Sequence, residues 1–146
     1  MRLTEKSNMR QAVNLADQLS NAGLRVTEAR LHLAHLLFGQ GDRHVTADAL
    51  LDEVRAAGLK ISQATVYNTL NQFHAAGLLR HVQVDQARSY FDTNIDAHHH
   101  FYVEKEARLI DIAARDVDVA KLPHSPEGYD VSRVEVIIRL DKSPEG

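Results

Sequence analysis

Residues 59–80 read LKISQATVYNTLNQFHAAGLLR, and this stretch decides the fold. Ser62 is a hydroxyl residue where a helix N-cap belongs, and Gly77 stands where a helix stops. Between them Val66, Leu70 and Phe73 recur at i, i+4 and i+7, one apolar stripe of a helix over 63–76. The other faces carry Gln63, Thr65, Tyr67, Asn68 and Asn71, a polar, uncharged set rich in amides. Amides pair with adenine edges, and Thr or Tyr meets a thymine methyl group. A plain amphipathic helix with a polar outer face shows the same periodicity, so spacing alone leaves both readings open.

Upstream, the same punctuation repeats. Apolar residues at Ala12, Val13, Ala16 and Leu19 predict a helix over 10–19, ended by Asn21-Ala22-Gly23. Thr27 caps a second over 28–38, closed by Gly39, and Thr46 caps a third over 47–57, closed by Gly58. Downstream the pattern switches to β. Residues 79–84 and 88–92 alternate and flank a short turn at Asp85-Gln86-Ala87, which predicts a two-stranded wing. Helices followed by such a wing form the winged helix-turn-helix of a DNA-binding domain.

Beyond a polar hinge at 93–97 the composition suits a small α/β unit. Strands are expected at 98–104, 108–112 and 131–140, the last with Val134, Val136 and Ile138 on one face and Glu135, Ile137 and Arg139 on the other. A short helix is expected at 116–121, before the breaks at Pro123 and Pro126. The fold class is therefore α+β, with domains at 1–92 and 98–146. A unit as small as the second buries little surface by itself, which points to pairing with a second copy in a homodimer.

Bulk properties exclude several functions. The chain has 146 residues and no cysteine, so disulfides, thiolate zinc sites, iron–sulfur clusters and cysteine nucleophiles are ruled out. Net charge is -3, unequally spread: residues 1–85 hold nine Lys/Arg and eight Asp/Glu, residues 86–146 eight and twelve. Phosphate contact belongs to the first part. No run of 18 apolar residues suggests a membrane span, and the polar start lacks the apolar core of a signal peptide, so a cytoplasmic location is expected.

The histidines mark a second site. His98, His99 and His100 lie in an expected strand, so His98 and His100 share a face and His99 points the other way. Such a run is either a metal or haem site or a solvated tract. His32 and His35 lie three apart on a helix with no evident acid partner. His74 and His81 flank the turn after the fourth helix, with His81 within reach of phosphate, and His124 lies near Asp116 and Asp118.

Five separated segments resemble the Fur superfamily: GLRVTEARLHLAHLLF, RHVTADALLDEV, ATVYNTLNQFHAAGLL, SYFDTN and HHHFYVEKEARLIDI. The resemblance covers residues 10 to 140. It implies a regulator that binds a double-stranded DNA operator, with Tyr67 and Thr65 as base contacts and Ser62, Gln63 and Asn68 beside the bases or backbone. Arg25 would reach the minor groove or a phosphate. Asn68 stands where the family usually has arginine, so operator preference is expected to differ. The resemblance also implies a regulatory metal site, with matching residues at His44, Asp92, His98, His100 and Asp111. These mixed N/O ligands suit Mn, Fe or Zn. Val103 and Glu106 occupy the family's Cys-x-x-Cys positions, so the structural zinc site is absent.

The HHHFYVE run and NTLNQF are most similar to the haem-responsive Irr branch. That branch implies haem held by His98, His99 or His100, with Phe101, Tyr102 and Ile110 able to form an apolar slot. The alternatives are a metal-dependent repressor of the Fur, PerR or Mur kind and, more remotely, a small metalloenzyme using His98, His100 and Asp111. No HExxH motif supports the enzyme.

Overall fold

The computed structural model describes residues 15–144. The chain divides into two compact units that meet between Ile95 and Asp96. In the first unit, helix α1 is described over residues 15–21; the expected helix start at residues 10–14 lies outside the described residues. There follow α2 (Glu28–Phe38), strand β1 (His44–Val45), α3 (Ala47–Ala56), α4 (Gln63–Ala75), β2 (Arg80–Gln83) and β3 (Ser89–Asp92).

The capping chemistry explains the helix starts. Thr27, Thr46 and Ser62 are extended N-caps whose side-chain oxygens accept the backbone N–H of Arg30, Ala49 and Thr65. Each satisfies one of the donors a helix start leaves without an internal partner. After α4, Gly77 takes a φ of +81°, a left-handed backbone conformation that L side chains rarely adopt, although a Cβ there would meet open space.

The helices pack through their apolar stripes. Leu33, Ala34 and Leu37 of α2, Leu50 and Val54 of α3, and Val66, Leu70 and Phe73 of α4 join Leu15 and Leu19 of α1 in one core. Each large side chain so buried stabilises the unit by about 1.5–3 kcal/mol. Thr69 is buried as well, so the inward face of α4 is wider than its apolar residues suggest.

The wing differs from expectation. It is a three-stranded antiparallel sheet in the order β1-β3-β2, not a hairpin alone. His44 pairs with Asp92 and Val45 with Phe91. β1 has two residues, too few to show a period of two, and for that reason it was invisible in the sequence. Asp85 shapes the wing turn, its carboxylate accepting the N–H of Ala87 and Arg88.

The second unit is a mixed sheet in the order β5-β4-β6, built from β4 (His98–Val103), β5 (Arg108–Ala113) and β6 (Ile137–Leu140). β4 runs antiparallel to β5 and parallel to β6. Two expectations fail here. The long final strand shortens to Ile137–Leu140, with residues 131–136 outside it; the Val136 carbonyl accepts His100 N–H and its own N–H donates to His99 Nδ1. The expected helix at 116–121 is absent, and a single 3-10 turn at Ala114–Asp116 stands before it. Val117 and Val119 alternate with Asp116 and Asp118, residues that favour caps and extended backbone over a helix interior. Among the described residues no helix is long and apolar enough to cross a membrane.

Candidate metal centre and nucleic-acid interface

The first unit brings His44 and Asp92 together. They are registered partners across β1 and β3, and His44 Nε2 lies 3.3 Å from Asp92 Oδ2. Asp92 is fully buried. Its other oxygen accepts the backbone N–H of Asn94 at 2.9 Å. Arg80, also buried, stands opposite Asp92 in the β2–β3 register. A buried carboxylate needs partners such as His44 and the Asn94 N–H, because an isolated one costs far more than folding can supply.

The second unit by itself gathers His98, His100 and Asp111. Strand alternation puts His98 and His100 on one face of β4, and the β4–β5 register sets Asp111 opposite His100. Asp111 Oδ1 lies 3.4 Å from Nε2 of both rings, and the ring centroids are 4.5 Å apart in a T-shaped arrangement. His98 Nδ1–H donates to the Asp96 carbonyl. That bond keeps a proton on Nδ1 and points Nε2 toward the carboxylate, so Nε2 is the nitrogen left to take a cation. Two ring nitrogens converging on one carboxylate oxygen in this way can share a proton or a cation.

The donor spacing fits a metal. Ligands bound at about 2.0–2.1 Å in tetrahedral geometry stand about 3.3–3.4 Å apart. The separations within the two units are 3.3, 3.4 and 3.4 Å. In each unit the donors are imidazole nitrogen and carboxylate oxygen, one of each in the first and two imidazoles with one carboxylate in the second, a mixed N/O chemistry suited to Mn, Fe or Zn.

His99 is separate from this group. Its Nδ1 accepts the backbone N–H of Val136 at 3.0 Å, so it ties β4 to the segment leading into β6. His32 does have an acid neighbour, Glu28 at 3.7 Å one turn away, contrary to the sequence reading. His124 is exposed and joins no metal-ligating group among the described residues.

α4 presents the candidate DNA-facing residues unequally. Gln63 and Asn68 are exposed. Ser62 is engaged locally, its Oγ accepting Thr65 N–H while its hydroxyl donates to Thr65 Oγ1. Tyr67 packs partly against the core, and its hydroxyl donates to Asp48 of α3. The bond to Asp48 raises the phenol pKa above its ordinary value, with burial and the Asp48 charge adding to it and Gln63 opposing. Arg25 is exposed, and its carbonyl accepts Arg30 Nη1–H; Arg30 also donates to Gln72 of α4. Asp48, Asp96 and Arg80 are the participants that sequence reading missed, since none stands in a spacing that marks it.

Helices, wing and a small second sheet define a winged-helix protein of the DNA-regulator class. The sequence model of the Ferric uptake regulator family matches residues 21–139. Ferric uptake regulation protein 1 of Mycolicibacterium fortuitum is 29% identical over 131 residues, 88% of this chain and 80% of that protein. The peroxide-responsive repressor PerR of Staphylococcus epidermidis is 30% identical over 121 residues, 81% of this chain and 80% of that protein. The solved ferric uptake regulator from Pseudomonas aeruginosa with manganese superposes at a TM-score of 0.67 and 24% identity, covering 88% of this chain and 97% of that one. The chain belongs to the ferric uptake regulator family. These relatives are transcription regulators, not enzymes, which removes the metalloenzyme reading.

Proposed function

We propose that the protein is a homodimeric, metal-dependent regulator that binds a double-stranded DNA operator through α4. A divalent cation (Mn, Fe or Zn) held by His44, Asp92, His98, His100 and Asp111 would couple the two units and set where the recognition helices of a dimer lie. The observation that carries this is the facing of two buried imidazoles and a carboxylate within β4 and β5, with His98 turned by Asp96 to present Nε2. Two named relatives are ferric uptake and peroxide-responsive regulators, and a relative of the same fold was solved with manganese. Exposed Val119, Leu122, Tyr129 and Val131 in the second unit suit burial against a second copy.

The haem-responsive reading has less support. His99 already accepts a backbone N–H, and the crowded His98–His100 pair faces a carboxylate rather than an apolar slot. The test is fluorescence anisotropy of metal-stripped protein on operator duplexes enriched from a random pool, with Mn(II), Zn(II) or ferric haem added. Tighter DNA binding with metal is the expected result. Indifference to metal together with a Soret shift and weakened DNA binding on adding haem would replace this reading with the haem-responsive one.

A further inference from the structure

The recognition-helix tyrosine does not stand free at the surface. Tyr67 is the fifth residue of α4, and its hydroxyl donates to Oδ1 of Asp48, the second residue of α3. Gln63 lies one turn earlier on the same helix. Asp48 is exposed, on the helix next to the one expected to face DNA. A carboxylate there repels phosphate, so the net effect on non-specific affinity is unfavourable. Its bond to Tyr67 supplies a compensating role.

A phenol has one proton to give. We propose that Asp48 is a positioning residue that sets what Tyr67 can read: with its proton committed to Asp48, the phenol oxygen only accepts, and it selects a base-edge donor, adenine N6–H or cytosine N4–H. The acceptor edges of guanine and thymine then meet a lone pair and a nearby carboxylate, and are rejected. This rests on the DNA-binding reading above. Ring orientation is secured twice, by Asp48 at the hydroxyl and by packing of the ring on the core, so the group is held before DNA arrives.

The experiment is enrichment of duplexes from a random pool, with Mn(II) present, by the wild type, Asp48→Ala, Asp48→Asn and Tyr67→Phe. The wild type enriches one base pair at the position Tyr67 reads. Asp48→Ala and Tyr67→Phe each lose that preference while the rest of the site is unchanged. Asp48→Asn keeps it, because the amide oxygen still accepts the phenol proton. Ultraviolet titration of the tyrosines without DNA gives an independent signature: one phenol ionises above 10.0 in the wild type and returns toward it in Asp48→Ala. The proposal is overturned if Asp48→Ala enriches the same base pair at that position, or if Tyr67→Phe does. A wild type that enriches no sequence overturns the regulator reading and this one with it. A raised phenol in that same sample would mark the DNA reading, rather than the tether, as the part at fault.

Discussion

Tyr67→Ala removes both the ring and the phenol oxygen from the face expected to meet DNA. Operator affinity should fall by about 1–3 kcal/mol, the scale of one good base contact, measured by gel shift or anisotropy. Unchanged affinity would take Tyr67 out of the interface. His98→Ala with His100→Ala should abolish or blunt the metal response while the oligomeric state by gel filtration stays that of the wild type; a retained response would move the sensor elsewhere. The His98–His100 pair was legible in the sequence because strand period two alone places the two side by side, whereas Asp111 was matched only by family resemblance. The tether from Asp48 was not, because it joins two helices through side chains with no shared spacing. His44 and Asp92 were matched only by family resemblance; their 3.3 Å approach depends on a two-residue strand too short to carry a pattern.

At the level of elements, the helices were readable because each carries its own start and stop chemistry. Thr46→Ala should cost about 1 kcal/mol in urea unfolding, since the Ala49 N–H loses its partner. No change in the midpoint would show that water replaces the cap without loss. The shortened β6 and the missing helix at 116–121 were unreadable for the opposite reason. The Asp-Val alternation at 116–119 argues against a helix, and in 131–140 the alternation reads the same whether or not a strand pairs, so tertiary context decided. The junction between α4 and the wing adds a pH dependence. His81 packs on Phe91, with ring centroids 5.2 Å apart, and faces His74 at 5.8 Å. Burial, then the charge of His74, lowers its pKa below 6.5. In the unfolded chain the proton binds more readily, so the stability His81 contributes is complete above pH 6.5 and is lost as pH falls through its lower folded value. His81→Gln should flatten the stability curve over that acid range, and an identical slope in the variant would refute the assignment.

For the whole molecule, the division into two units places the His–Asp donors of the first on the wing sheet and those of the second on a separate sheet. A cation that prefers the DNA-binding arrangement must obey linkage: if metal tightens DNA binding by some factor, DNA tightens metal binding by the same factor. The most direct measurement is therefore the affinity of metal-stripped protein for Mn(II), titrated with and without a saturating operator duplex. The duplex should raise the metal affinity by about 5–150-fold, equal to the gain in DNA affinity measured with metal, and the gain should vanish in His98→Ala with His100→Ala. A metal affinity that the duplex leaves unchanged would contradict metal control of DNA binding.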